Sequence, residues 1–96
     1  MRTAPYPHPG EILNEEFLLP MEISKYRLSK ETGISQTALG EIIAGQRALS
    51  IENGLRLSRF FGTSEEFWNR LQLDHDAAKA RKKIGTQLKK IQPFKA

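Results

Sequence analysis

The chain has 96 residues, no cysteine and a formal net charge of +4, which suits one small domain that buries roughly 60–65% of its unfolded surface. The lack of cysteine excludes a disulfide framework or a thiolate metal site and is typical of a reducing compartment. No long apolar run or signal-peptide pattern occurs, so we expect a cytoplasmic protein with no membrane association.

The start of the chain predicts an extended lead-in followed by a helix. Residues 1–8 contain two prolines and no periodicity. Pro9 suits the first helical position, where its missing N–H has no partner to lose. We expect this helix to run to about Leu19, with Pro20 preventing further winding. Its predicted apolar side consists of Ile12, Leu13 and Phe17.

The pattern I-S-x-x-x-L then occurs twice, at 23–28 and 34–39. In each copy the serine, Ser24 or Ser35, is a candidate N-cap, and the two apolar residues form a hydrophobic staple that fixes how the chain enters the helix. Gly33 supplies the left-handed residue that ends the first of these two helices. Two capped helices joined by a short turn with glycine predict a helix-turn-helix, although an ordinary helical hairpin has the same local pattern.

The same signals continue along the chain. The third helix stops at Gly45, Ser50 caps a fourth that ends at Gly62, and residues 63–66 form a capping box that opens a fifth. No useful β-alternation occurs, so the predicted fold is all-α. The predicted buried positions are Leu39, Ile42 and Ile43 in the third helix, Ile51, Leu55, Phe60 and Phe61 in the fourth, and Phe67, Trp68, Leu71 and Ala78 in the fifth.

The positive charge is concentrated at the end of the chain. Residues 1–76 carry eight Lys and Arg against eleven Asp and Glu, whereas residues 77–96 carry seven cations and no acid. This block indicates a polyanion or an acidic partner, or else a solvated tail that aids solubility. The predicted organisation is a lead-in at 1–8, a helix-turn-helix domain at 9–76, and a basic extension at 77–96 that contains the end of helix five and a tail.

The outward positions of the third helix favour DNA contact, because a recognition helix inserts its N-terminal end into the major groove. Glutamine can pair with adenine, and threonine can contact thymine. A glycine in an exposed helix costs about 0.8–1 kcal/mol, which close approach of the backbone to DNA would explain. The predicted base-contacting residues are Gln36, Thr37, Gly40 and Glu41. The predicted phosphate contacts, each of which could equally be a solvated side chain, are Lys25, Ser35, Gln46 and Arg47.

Four segments resemble the HigA/VapI antitoxins, a branch of the Cro/C1-like (XRE) helix-turn-helix family. They are HPGEILNEEFLLP at 8–20, YRLSKETGIS at 26–35, EIIAGQRALS at 41–50 and LRLSRFFGTSEEFWNRLQ at 55–72. The resemblance implies a five-helix, lambda repressor-like domain that binds double-stranded operator DNA in its own promoter as a homodimer. It also implies a complex with a HigB toxin, a RelE-like ribonuclease that cleaves mRNA on the ribosome.

The resemblance places the family's base contacts at the four positions of the third helix named above. It places phosphate contacts near Lys25, Ser35 and Arg47. The sequence departs from the family at Ser29, where alanine is usual, and at Thr32, where the family tends to be apolar. The basic extension matches no motif of the family.

Two further surfaces follow from the partners. An RNA-binding toxin should be basic, so an acidic first helix predicts a docking surface, although the helix dipole also favours acids at that end. The predicted docking residues are Glu11, Glu15, Glu16 and Glu22. A dimer needs an apolar seam, for which helix five offers Phe67, Trp68 and Leu71, with the tail around Leu88 and Ile91 as the alternative.

The sequence offers no grouping that indicates catalysis, a cofactor or a metal site. The only histidines, His8 and His75, are far apart in the chain and have no cysteine beside them. The function predicted is an antitoxin that represses its operon and neutralises a toxin. The alternatives are a stand-alone XRE-family regulator without a toxin partner and a helical protein-interaction module that does not touch DNA.

Overall fold

The computed structural model describes residues 6–95, which form five helices and no strand. The first helix, α1, spans 9–21 and contains a π-helical segment, Leu13–Leu18, between two short α-helical stretches, Pro9–Ile12 and Leu19–Met21. The others are α2 (Lys25–Thr32), α3 (Gln36–Ile43), α4 (Ile51–Phe61) and α5 (Glu66–Lys89). The all-α prediction is confirmed. The predicted lead-in covers residues 1–8, of which residues 1–5 lie outside the described part of the chain.

Serine caps begin three of the helices, as predicted. In each case the side-chain oxygen accepts the backbone N–H three residues later and satisfies a donor that the helix itself cannot pair. The left-handed residues Gly33 (φ 82°) and Gly62 (φ 73°) end α2 and α4, also as predicted. The donor–acceptor distances are 3.0 Å for Ser24 with Arg27, 3.0 Å for Ser35 with Ala38 and 3.1 Å for Ser50 with Asn53.

The predicted end of α1 is wrong, because the helix continues past Leu19 and includes Pro20 in its last turn. In the π-helical segment the N–H groups bond five residues back, as Leu19 does to Asn14, and not four. This wider turn precedes Pro20, which has no N–H to contribute and would clash with the carbonyl four residues back in regular α geometry. The helix ends at Glu22, which takes the left-handed conformation at φ 55°.

Both predicted boundaries of α5 need correction. The capping box does not form: α5 begins at Glu66 with no side-chain cap, and Thr63 donates its hydroxyl to the next carbonyl at 3.2 Å. The helix also continues through Gly85 to Lys89, so the predicted extra amphipathic turn is its last part. Only Ile84 (φ −113°, ψ 16°) departs from helical geometry, which marks a kink one residue before the glycine.

The core forms where the inner faces of all five helices meet. Leu13, Leu28, Leu39, Leu57 and Trp68 are each 0% exposed, and they come one from each helix. The predicted burial of Ile12, Leu13, Leu39 and Ile42 is confirmed, while Phe17, Ile43, Phe60, Phe61 and Ala78 are half-buried.

The predicted inner face of α4 is partly wrong. Ile51 is 71% exposed and Leu55 is 42% exposed. The buried face consists of Gly54, Leu57 and Ser58, which recur at i, i+3 and i+4. A Cβ at Gly54 would overlap the side chain of Asn69 on α5, so α4 and α5 lie close together there.

Candidate nucleic-acid interface

The helix α3 is fixed by one buried face and presents the opposite edge outward. Ala38, Leu39 and Ile42 are 7%, 0% and 1% exposed and hold the helix to the core. Gln36 and Thr37 follow the capping Ser35 and are exposed, as the sequence predicts. The N-terminal edge of α3 therefore lies on the protein surface, while the opposite face of the same helix is fixed in the core.

A close contact between α1 and α3 sets the position of α3. A Cβ added at Gly10 would overlap the backbone carbonyl of Ile42, so the backbone of α1 lies directly against α3. Only glycine leaves room for this approach. Sequence reasoning missed Gly10, although a glycine directly after the helix-starting Pro9 was a signal for close packing.

The second glycine of this region, Gly40, lies in open space. A Cβ there would meet no atom within 4 Å, so packing within the chain does not require glycine at this position. Glycine nevertheless destabilises a helix interior by about 0.8–1 kcal/mol relative to alanine. The structure leaves the outward side of α3 free for a close approach from outside.

Two of the predicted DNA contacts, Glu41 and Arg47, pair with each other. The Arg47 Nη2 and Nε atoms lie 2.6 and 2.7 Å from Glu41 Oε1, and the two side chains are 51% and 41% exposed. The Glu41 carbonyl also accepts the backbone N–H groups of Gln46, at 2.8 Å, and Arg47, at 3.2 Å. Exposed ion pairs contribute only about 0–1 kcal/mol, so Arg47 can exchange this carboxylate for a phosphate at little cost.

The loop that follows α3 is held at its far end by Gln72 of α5. Gln72 is 8% exposed, its Oε1 accepts the Leu49 N–H at 2.7 Å, and its Nε2 donates to Asp76 at 2.9 Å. The exposed Gln46, at the near end of the loop, is held to α3 by its own N–H bond to the Glu41 carbonyl. Sequence reasoning missed Gln72, although its position four residues after Trp68, on the apolar side of the helix, was the available signal.

The two histidines meet beside the same loop. Their ring centroids lie 5.2 Å apart, His8 Nδ1 accepts the Gly10 N–H at 2.9 Å, and His75 Nδ1 lies 2.9 Å from the Tyr6 carbonyl. Burial lowers the pKa of His8, and the charges of His75 and Lys79 lower it further. A backbone hydrogen bond at Arg47 and the Asp76 carboxylate act in the opposite direction.

The remaining predicted contacts lie at separate places. Lys25 is exposed at the start of α2, and Glu15, Glu16 and Glu22 are exposed on and after α1. Glu11 is half-buried, and its Oε2 has no hydrogen-bond partner within the described chain.

The predicted dimer seam needs correction at Trp68, which is 0% exposed and lies within the core of a single chain. Its ring centroid lies 4.9 Å from that of Phe17 and 5.3 Å from that of Phe67. A side chain enclosed by its own chain cannot contact a second copy while the fold is intact. Of the other two predicted seam residues, Phe67 is 37% exposed and Leu71 is half-buried.

Within residues 6–95, no three His, Cys, Asp or Glu side chains are grouped so that they could hold a metal ion. None of the helices in that part of the chain combines the length and the hydropathy needed to cross a membrane.

Comparison with known proteins relates the chain to DNA-binding regulators. A helix-turn-helix family model, HTH_3, matches residues 15–68, which contain α2, α3 and α4. The virulence-associated protein I of Dichelobacter nodosus is 41% identical over 69 residues, which make up 72% of this chain and 64% of that protein. The match thus spans somewhat less than two thirds of that relative's length.

Solved structures match over nearly the whole length. The Pseudomonas aeruginosa antitoxin HigA, solved with the higBA promoter, is 36% identical with a TM-score of 0.85, covering 94% of this chain and 99% of that one. A second Pseudomonas aeruginosa structure, solved in complex with 18-bp operator DNA, is 37% identical with a TM-score of 0.87, covering 100% of this chain and 99% of that one. The arrangement of all five helices is therefore shared with proteins that were solved on operator DNA.

Proposed function

Because the chain belongs to the Cro/C1-like (XRE) helix-turn-helix family, in its HigA antitoxin branch, we propose that it represses its own promoter by binding operator DNA as a dimer. We propose further that it neutralises a HigB-type toxin. The observation that carries the proposal is the edge of α3, where Gln36 and Thr37 are exposed on a helix anchored by three buried residues. A rigid helix with a free polar N-terminal edge is what major-groove recognition requires.

The chemistry of the interface divides into two kinds of contact. We assign Gln36 and Thr37 to contacts with base edges, which give sequence preference. Lys25, Ser35 and Gln46 are exposed on the flanking segments and are assigned to phosphate contacts, which give affinity without sequence preference. Arg47 joins the second group after leaving Glu41, and Glu41 then faces the groove, where it can accept from cytosine or repel other sites.

Titration of the protein against a duplex from its own promoter tests the proposal. We expect binding that weakens steeply as salt rises. Gln36→Ala should lower operator affinity by about 1–3 kcal/mol and leave binding to unrelated duplexes unchanged, because one bidentate base contact is lost. Lys25→Gln should weaken binding to all duplexes alike and reduce the salt slope by about 2, since each protomer of the dimer loses one phosphate contact.

The control is Ser64→Ala, which alters an exposed residue of the α4–α5 turn and should bind like the parent protein. Absence of any salt-dependent operator binding would reject the DNA role and favour a protein-interaction module.

The toxin role rests on the acidic surface of α1. Glu15 and Glu16 are exposed there, and the exposed Glu22 follows directly. A toxin that binds mRNA has a positively charged RNA-binding surface. The carboxylates of α1 are complementary in charge to such a surface and would cover the cations that bind RNA.

Co-expression with the toxin reading frame beside the gene tests this role. The double variant Glu15→Lys/Glu16→Lys should lose toxin affinity while keeping its fold and operator binding. Glu52→Lys, which reverses one exposed acid at the start of α4, is the control. Undiminished toxin binding by the double variant would place the docking surface elsewhere, and the absence of a toxin gene would favour a stand-alone regulator.

A further inference from the structure

The basic end of α5 begins beside the loop that follows α3. Leu49 is bonded to Gln72, and Lys79, two turns further along α5, lines a pocket of about 210 Å³ with Gly45 and Gln46. The first cation of the basic extension therefore lies next to a residue assigned to phosphate contact. The later cations of α5 lie progressively further from the loop, because the helix continues beyond Lys79 to Lys89.

The cations that follow Lys79 continue its row. Lys82 and Lys83 lie at i+3 and i+4 from Lys79, which places all three on neighbouring positions of one helix face. All three are exposed, and no ion pair is formed by any of them among the described residues. The kink at Ile84 then changes the helix direction before Lys89 and Lys90, which are also exposed.

Most of the charge of this segment is not used by contacts within the chain, although the Arg81 guanidinium lies over the Tyr6 ring, 5.9 Å from its centroid. The body of the chain, residues 1–76, has a net charge of −3, whereas residues 77–96 carry +7 without a single acid. Seven like charges along a short segment repel one another, so the segment is stabilised when a polyanion neutralises it. Duplex DNA carries one negative charge per about 1.7 Å of its axis, which matches a row of lysines on a helix.

We propose that the basic end of α5 is a second DNA-contact surface, which binds the phosphate backbone of the base pairs that flank the operator. This inference rests on the proposed operator binding and adds to it a contact that does not depend on base sequence. Its position beside Gln46 favours DNA over an acidic protein, because the loop and the helix end then meet one continuous ligand. The extension thereby lengthens the stretch of duplex that the protein covers.

The test compares two duplexes and two double variants. One duplex contains the operator alone, and the other adds about ten unrelated base pairs on each side, roughly one helical turn. The variant Lys82→Gln/Lys83→Gln removes two extension cations and keeps good helix formers. The control variant Lys30→Gln/Arg59→Gln removes two exposed cations from α2 and α4.

We expect the parent protein and the control to bind the longer duplex several-fold more tightly than the shorter one. Lys82→Gln/Lys83→Gln should lose that preference, and its salt slope on the longer duplex should fall by about 3.6, since the dimer loses four phosphate contacts and each contributes about 0.9. The ratio of its affinity at 50 mM salt to its affinity at 200 mM salt should therefore be about 150-fold smaller than the same ratio for the parent protein. Thermal unfolding of each variant shows whether the fold is kept.

The outcomes separate the two proposals. If the parent protein binds the operator but Lys82→Gln/Lys83→Gln keeps the full slope and the length preference, the second surface is rejected and operator repression stands. Loss of toxin binding in place of DNA binding by that variant would likewise reject it and assign the extension to a protein partner. If the parent protein fails to bind either duplex, both proposals fall.

Discussion

His8 holds the start of α1 through a ring nitrogen that has to remain unprotonated. Its Nδ1 accepts the Gly10 N–H at 2.9 Å and so caps the helix in the place of the usual serine or aspartate. Protonation would turn this acceptor into a donor that faces another donor. Burial and the neighbouring His75 and Lys79 lower the pKa of His8, although Asp76 and the Arg47 backbone partly offset the effect.

The lowered pKa of His8 predicts a loss of stability in mild acid. The folded state resists the proton that the unfolded chain takes up at about pH 6.5, so the free energy of unfolding is fully present above that pH and falls as pH drops below it. His8→Asn keeps a capping oxygen that does not titrate and should show a shallower fall. Urea unfolding of both proteins between pH 7.5 and 5.5 measures the difference, and equal slopes would contradict the assignment.

Whether a contact of a single residue could be predicted from the sequence depended on how far apart its two partners lie in the chain. The serine caps at Ser24, Ser35 and Ser50 were predictable because each bonds an N–H three residues ahead. The Gln72 contact to Leu49 spans 23 residues and the His75 contact to Tyr6 spans 69, so no local pattern encodes either. The pairing of Glu41 with Arg47 was close in sequence but depends on the loop geometry after α3.

At the scale of the elements, two glycines of the interface serve opposite purposes. Gly10 lets α1 lie directly on α3, whereas Gly40 faces open space on the other side of α3. The first is required by packing within the chain. The second is not required by packing within the chain, and the proposed approach of DNA gives it a reason.

Gly40→Ala should therefore stabilise the protein and weaken its DNA binding. The free energy of unfolding should rise by about 0.8–1 kcal/mol, the difference in helix propensity. Operator affinity should fall because the added methyl group separates the α3 backbone from the duplex. Gly10→Ala is the contrasting variant and should lose about 1–3 kcal/mol of stability through overpacking. Denaturant titration measures the free energy of unfolding, and DNA titration measures operator affinity. If both quantities increased in Gly40→Ala, the idea would be refuted.

The ends of helices were predictable where a glycine supplies the stop. Gly33 and Gly62 mark the ends of α2 and α4 through their left-handed conformation. The end of α1 was not predictable because Glu22, a residue that seldom adopts that conformation, ends it after a π-helical turn admits Pro20. Gly85 failed as a stop because the helix passes through it with a kink at Ile84.

At the scale of the whole molecule, one aromatic group joins three helices. Trp68 of α5 contacts Phe17 of α1, with ring centroids 4.9 Å apart, and Phe61 of α4, at 5.8 Å. In both pairs the rings are tilted relative to each other, an arrangement that is more favourable than stacking directly face to face. The cluster thereby ties α1, α4 and α5 together in the core.

Trp68→Ala should lower the free energy of unfolding by about 3–5 kcal/mol, because it leaves a large cavity in the core. Phe94→Ala, at a side chain that is 92% exposed, should change it very little and is the matched control. Chemical denaturation measures both. A loss of operator binding by Trp68→Ala would report a damaged core, and a small loss of stability would contradict the assigned role.

The sequence allowed the five-helix architecture and the outward edge of α3 to be predicted, because both follow from local periodicity and capping. The seam could not be placed in this way, because an apolar residue such as Trp68 looks the same in a sequence whether it faces the core or a partner. The burial of Leu57 in place of Leu55 also depended on how α4 crosses α5 at Gly54.

The π-helical segment of α1 also has an evolutionary consequence. A loop closed five residues back holds one residue more than an α-helical turn, so deleting one residue within Leu13–Leu18 would return the segment to α-helical spacing and set the Pro20 ring against the carbonyl four residues before it. The same deletion inside α3 would rotate every later side chain by about 100° and turn its reading edge away from the groove. One-residue deletions are therefore expected to be eliminated from both helices, from the first because of Pro20 and from the third because of its outward edge.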